Sequence, residues 1–127
     1  MLCVIIVTQF LENKCQLCLI QGSKKSNNMN LLEEIKFSEE RPSVVVIKKT
    51  EKSKIFSVGL SKNQILKKHT TSFSTMLLVL KGEITFHING ESFVLKELNT
   101  FEIPIDVEHE VVGNKEKNIF LLNQELN

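Results

Sequence analysis

From Pro42 onward, apolar residues recur in short runs that are rich in Val, Ile, Phe and Thr. Turn-forming and polar residues separate these runs. Short runs of this composition, bounded by turn residues, are typical of β-strands. The sequence therefore predicts nine consecutive strands, with the sequences SVVVIKK, KIFSVGL, QILKKHT, STMLLVLK, EITFHI, SFVLK, TFEIP, HEVV and NIFLLN.

Asn89 and Gly90 lie between two of the predicted strands. An Asn-Gly pair supplies the two positive-φ residues of a type I′ turn, so a β-hairpin is predicted here. Upstream, Asn30 is followed three residues later by Glu33, which is the pattern of a helix N-cap with a reciprocal carboxylate. It predicts one short N-terminal helix. With no helical pattern between the strands, an all-β sandwich or small antiparallel barrel is expected rather than an α/β sheet.

The first 28 residues differ from the rest of the chain. Cys3, Cys15 and Cys18 are the only cysteines, and residues 21–28 are polar and rich in Ser and Asn. Cys15 and Cys18 could form half a zinc site or a redox pair, but no second pair of ligands follows at a suitable spacing. We expect residues 1–28 to be a poorly ordered extension, or to belong to the sequence only because the start was mis-assigned and translation begins at Met29. Residues 29–127 are expected to form the domain.

Composition and charge exclude several functions. The chain has 127 residues and a net charge of +1, and Arg41 is its only arginine, so one domain without a nucleic-acid-binding surface is expected. The longest apolar run, residues 2–7, is too short to span a membrane. There is no Trp or Tyr on which a sugar or a base could stack. Because the domain contains no cysteine, a reducing cytoplasmic location is predicted.

Two segments, residues 63–82 and 98–113, resemble the two consensus motifs of the cupin superfamily. The first motif aligns without a gap, and so does the second; the matched positions are Asn63, His69, Thr71, Thr75 and Gly82, then Leu98, Pro104, Asp106 and His109. The resemblance implies an RmlC-like cupin fold, a double-stranded β-helix or jelly roll in one small barrel. It is closest to the small stand-alone cupins, and it also suggests a homodimer.

Three motif positions that are glycine in cupins carry another residue here. Asn63 and Asp106 should be mild replacements, because Asn and Asp tolerate positive φ better than other non-glycine residues. A leucine does not, so at Leu98 we expect the neighbouring Asn99 to take the turn conformation instead.

The resemblance also implies a set of metal ligands, which in a typical cupin are the two His and the Glu of the first motif and the His of the second. Here His69 and His109 keep the imidazoles, whereas Thr71 and Thr75 supply neutral hydroxyls that do not suit a divalent ion. No firmly bound cofactor is therefore predicted. The possibility left open is that His69 and His109 bind a divalent transition metal weakly.

Alternation along the strands predicts a cavity lining. If His69 points inward, every second residue after it does so too, and the same period applies around Pro104 and His109. The predicted pocket residues are His69, Thr71, Phe73, Thr75, Phe101, Ile103, His109 and Val111. A mostly apolar cavity with a few polar groups suits a small organic ligand, so a small-molecule-binding or non-catalytic module is the preferred hypothesis.

Three other interpretations stay open. His69 and His109 could belong to a metal-dependent oxygenase or isomerase of a small molecule, or both could be structural residues with no ligand. The outer face of the sheet, where His87 is predicted, could instead form a homodimer. No catalytic residue is assigned, and whether the protein is an enzyme is undecided. Acid–base chemistry, if there is any, would fall to His69 or His109.

Overall fold

The computed structural model describes residues 28–126. The predicted extension and its three cysteines lie outside the described residues, apart from Asn28, so the domain boundary at residue 29 stays a prediction. Within the described part of the chain, no helix has the length and hydropathy needed to cross a membrane.

The predicted helix and all nine predicted strands are confirmed. The helix is α1 (Leu31–Glu34), and the Asn30 side chain caps it by accepting hydrogen bonds from the N–H groups of Leu32 and Glu33. The strands are β1 (Ser43–Lys49), β2 (Ser53–Ser61), β3 (Ile65–His69), β4 (Ser74–Lys81), β5 (Glu83–Ile88), β6 (Glu91–Lys96), β7 (Thr100–Ile103), β8 (His109–Gly113) and β9 (Lys117–Glu125).

The strands form two antiparallel sheets. One has five strands in the order β1-β2-β9-β4-β7, and the other has four in the order β3-β8-β5-β6. Asn89 and Gly90 have φ angles of 55° and 74° and connect β5 to β6, as the hairpin prediction requires. The all-β prediction is confirmed.

One apolar core holds the sheets together. Alternate residues of β5 are fully or almost fully buried, while their neighbours are partly exposed. Each large apolar side chain buried in this way contributes roughly 1.5–3 kcal/mol relative to an exposed one. The buried members of the core cluster are Val58, Leu60, Leu77, Val79, Ile84, Phe86, Ile88, Leu95, Ile103, Val111, Phe120 and Leu122.

Asn118 is fully buried and connects three parts of the barrel at the end away from His109. Its Nδ2 donates to the carbonyl oxygens of Leu60 and Lys115, at 3.0 and 2.8 Å. Its Oδ1 accepts from the backbone N–H groups of Glu83 and Lys115, both at 3.0 Å. Every hydrogen-bonding position of the amide is therefore used, as burial requires.

The motif positions that lack glycine have the backbone conformation that glycine favours. Asn63 and Asp106 have φ angles of 65° and 62°, as expected. Leu98 has a φ of 72°, so the expectation that Asn99 would take this conformation is wrong. The reason is hydrogen bonding: Leu98 N–H donates to Val79 O at 2.7 Å, and Asn99 Oδ1 accepts from Lys96 N–H at 2.9 Å. Asn99 stabilises the turn from the position beside it.

Replacing Leu98 should therefore stabilise the protein. A left-handed conformation costs a non-glycine residue roughly 1–2 kcal/mol, and asparagine tolerates it better than leucine. Leu98 is 76% exposed, so little burial is lost on substitution. We expect Leu98→Asn to raise the free energy of unfolding in urea by about 0.5–1 kcal/mol. Leu98→Ala, which keeps a side chain without this tolerance, should change it little; equal effects of the two variants would contradict the explanation.

Candidate functional site

A β-bulge in β3 brings His69 opposite His109. Leu66 pairs with Val111, and three residues later His69 pairs with His109, so β3 has one residue more than β8 between the two pairs. In a regular ladder, Lys68 would lie opposite His109, and His69 would face the other side of the sheet. Both imidazoles instead lie on the same face at one end of the barrel.

The hydrogen bonds of the two imidazoles define their tautomers. Nδ1 of His69 lies 2.7 Å from Lys67 O, and Nδ1 of His109 lies 3.0 Å from Val107 O. A carbonyl oxygen can only accept, so each Nδ1 carries a hydrogen and each neutral ring presents an unprotonated Nε2. These two Nε2 atoms are 3.1 Å apart. A hydrogen bond between them requires one additional proton; without it, both are acceptors facing the same point.

The two histidines have different surroundings. His69 is exposed at the rim, whereas His109 is 4% exposed and its ring stacks against Phe86, with 5.4 Å between the ring centroids. Burial lowers the pKa of His109 below its usual value of 6.5, the hydrogen bond to Val107 O opposes this, and a charge on His69 lowers the pKa further. His109 is thus favoured in its neutral form.

A cavity of about 290 Å³ opens beside the histidine pair. Six apolar and seven polar or charged residues from both sheets line it, and most of the exposed surface of the cavity is apolar. The lining residues are Val44, Lys54, Phe56, Val58, Leu66, His69, Thr70, Thr71, Thr75, Ile103, His109, Leu122 and Gln124. One lysine and no carboxylate belong to this lining.

Four residues that are neighbours across adjacent strands line one side of the cavity. Lys54 pairs with Gln124, Gln124 with Thr75, and Thr75 with Ile103, across β2, β9, β4 and β7. Directly paired residues project to the same face of a sheet, so these four side chains line one wall. The Lys54 ammonium lies over the Phe56 ring, 4.8 Å from its centroid.

The hydroxyls of Thr71 and Thr75 both donate to the carbonyl of Phe73, a residue outside the cavity lining. Thr75 Oγ1 donates to Phe73 O at 2.8 Å, and Thr71 Oγ1 donates to the same carbonyl at 3.3 Å. Gln124 Nε2 in turn donates to Thr71 Oγ1 at 3.3 Å. Thr71 Oγ1 also accepts from Phe73 N–H at 3.3 Å, so both of its lone pairs are used, and of the two hydroxyls only that of Thr75 has lone pairs left for a ligand.

The structure brings five of the eight sequence-predicted pocket residues together in this cavity: His69, Thr71, Thr75, Ile103 and His109. Phe73 lies outside the lining and is 38% exposed. Strict alternation from His69 does not extend to Phe73, because β3 ends at His69 and β4 begins only at Ser74.

Phe101 and Val111 lie outside the cavity lining. Phe101 is in contact with Phe86 and Phe93, with centroid distances of 4.6 and 5.2 Å. Val111 is 1% exposed and pairs with Phe86. Val111 belongs to the buried core, and Phe101 is partly buried and packs against that core.

The sequence reasoning missed the wall formed by β1, β2 and β9. Val44, Lys54 and Gln124 belong to no motif, and their place depends on which strands are neighbours. Strand alternation does put Lys54, Phe56 and Val58 on one face, but it does not indicate that this face borders His69.

A tightly bound divalent ion does not fit these side chains. His69 and His109 present two converging nitrogens, but Thr71 and Thr75 supply only hydroxyl oxygens. Protein zinc sites use at least three strong ligands. Within residues 28–126, no group of three or more His, Cys, Asp or Glu side chains is placed to hold a metal.

His87 lies on the outer face of the four-stranded sheet, as its position between the buried Phe86 and Ile88 requires. Its Nδ1 is 2.7 Å from Ser92 Oγ on the neighbouring strand. The homodimer suggested for this face stays a prediction.

The lowered pKa of His109 predicts a loss of stability in acid. Below about pH 6.5 the unfolded chain binds the proton more readily than the folded protein, so the free energy of unfolding falls as the pH falls. One such group gives a slope of at most about 1.4 kcal/mol per pH unit. Urea titrations between pH 7.5 and 5 should show this slope in the parent protein. His109→Gln should reduce it and His87→Gln should not; an unchanged slope in His109→Gln would contradict the assignment.

Comparisons with known proteins support the fold. No protein-family model and no curated protein sequence matches the chain. Among solved structures, an RmlC-like cupin protein from Desulfovibrio desulfuricans has a TM-score of 0.70 and 24% identity, over 82% of this chain and 98% of that one. A cupin superfamily protein from Desulfitobacterium hafniense has a TM-score of 0.71 and 14% identity, over 87% and 100% of the two chains.

A conserved protein of unknown function from Streptococcus pyogenes is also similar, with a TM-score of 0.69 and 18% identity over 85% of this chain and 94% of that one. The predicted resemblance is confirmed at the level of the fold: this is a small protein with the cupin fold.

Proposed function

We propose that the protein is a small-molecule-binding module whose ligand occupies the cavity beside His69 and His109. The observation that carries this proposal is the combination of an apolar enclosure with a few converging polar groups. Ligand sites typically combine apolar walls with a small number of polar groups that fix orientation. At about 290 Å³ the cavity is near the lower end of the usual range, so the ligand is small.

The histidine pair supports binding rather than a purely structural role. In a structural pair, both ring nitrogens would be satisfied by the protein. Here each Nδ1 has a backbone partner, while the two Nε2 atoms have only each other. In the neutral form, both Nε2 atoms lack a donor, and a ligand can supply one.

Blocking the mouth tests the proposal. Val44 lines the cavity on β1 and is 56% exposed, so Val44→Phe should narrow the mouth without disturbing the core. Val46 is on the same strand, points to the same side and is 48% exposed, but lies outside the lining. We expect phenol, indole, benzoate or 4-hydroxybenzoate to bind the parent protein at one site in ligand-observed NMR titrations. Val44→Phe should weaken this binding at least about tenfold, whereas the matched variant Val46→Phe should not.

Failure of all four compounds to bind, or equal binding by Val44→Phe and the parent, would refute the cavity as a ligand site.

A metal-loading experiment distinguishes the proposed binding module from a metal-dependent enzyme. The protein is incubated with Zn²⁺, Mn²⁺ or Ni²⁺, passed through gel filtration and analysed for metal. With only two nitrogen ligands in place, we expect retention well below one ion per chain. Stoichiometric retention that His69→Ala or His109→Ala abolishes would overturn the proposal in favour of a metal-dependent activity.

A further inference from the structure

The polar groups at the cavity mouth are mainly hydrogen-bond acceptors. Both histidines have their Nδ1 hydrogens committed to backbone carbonyls, which leaves their Nε2 lone pairs as acceptors. Thr75 directs its hydroxyl proton to Phe73 O and keeps its lone pairs as acceptors, whereas Thr71 Oγ1 already accepts from Phe73 N–H and Gln124 Nε2. A ligand that reaches these groups therefore has to bring a donor, such as a hydroxyl.

The charge of the cavity points to a second feature of the ligand. Lys54 is the only charged residue of the lining when the histidines are neutral, and no carboxylate lies among the lining residues. The ammonium lies over the Phe56 ring, where an apolar surface limits its hydration. An added proton on the histidine pair would make the mouth more positive, so an anion is favoured in either protonation state.

The apolar residues of the cavity indicate the chemistry of the ligand between its hydroxyl and its anionic group. Phe56, Leu66 and Leu122, together with Val58, surround the space beneath Lys54 and the histidines. An aromatic or compact aliphatic body would bury its surface against them.

We propose that the cavity selects small hydroxycarboxylates with an apolar body. The carboxylate faces Lys54, and the hydroxyl donates to a free Nε2 of the histidine pair. This inference rests on the proposed binding function and names the chemical class of its ligand.

The test compares three molecules of similar shape, measured by isothermal titration of the full chain at pH 7.5. The probe is 4-hydroxybenzoate; benzoate lacks the hydroxyl, and 4-hydroxybenzamide lacks the charge. Because a hydrogen bond between two charged groups is stronger than one to a neutral group, 4-hydroxybenzoate should bind at least about tenfold more tightly than 4-hydroxybenzamide. Benzoate should also bind more weakly than 4-hydroxybenzoate.

Two variants test which residue causes the preference for the carboxylate and which causes the preference for the hydroxyl. Lys54→Gln should abolish the preference for the carboxylate over the amide and keep the preference for the hydroxyl. The matched control is Lys52→Gln, which removes the same charge from an exposed turn outside the lining. His69→Phe, at the exposed rim, should reduce the preference for the hydroxyl, because only His109 Nε2 remains as an acceptor, and should keep the preference for the carboxylate. Circular dichroism verifies that each variant is folded.

Equal affinities for the three molecules, or equal effects of Lys54→Gln and Lys52→Gln, would overturn the inference while leaving the binding function intact. If none of the three molecules binds, and phenol and indole also fail to bind, the proposed binding function itself fails.

Discussion

The site depends on how β3 pairs with β8. A single extra residue in β3 changes the face to which every later residue of that strand points, because side chains alternate with a period of two. Leu66 and His69 can both face inward only with this bulge between them. The bulge therefore gives β3 an apolar side chain for the core and, three residues later, an imidazole for the mouth. Without it, a lysine would lie opposite His109.

The two ends of the barrel differ in how completely their polar side chains are hydrogen-bonded within the protein. At one end, Asn118 uses all of its hydrogen-bonding positions to connect β2, β5 and the turn before β9. At the other end, the polar groups of His69, His109 and Thr75 are only partly satisfied by the protein. Buried amides with complete hydrogen bonding stabilise a unique structure, whereas incompletely satisfied polar groups beside a cavity are suited to a ligand.

The similarity to cupin structures, at 14–24% identity, supports the fold of the barrel. It does not identify the chemistry of the site, which depends on the side chains. The same fold serves many functions, so function has to be argued from the site. Here the two imidazoles remain, the expected carboxylate is a threonine, and a lysine enters from the opposite sheet. This set of side chains is the basis for the proposal that the cavity binds a small anion.

The resemblance to cupins implied that His69 and His109 lie close together, and the β-bulge of the folded protein is what pairs them. The sequence by itself determined the nine strands, the Asn89-Gly90 hairpin and the helix capped by Asn30. These features follow from local rules: strand alternation, turn chemistry and motif spacing act over a few residues. Only the tertiary structure decided that Lys54 and Gln124 share a wall with Thr75, that Phe73 lies outside the cavity and that Leu98 itself adopts positive φ. Strand order, bulges and the hydrogen bonds at a turn depend on residues that are distant in the chain, and local patterns do not encode them.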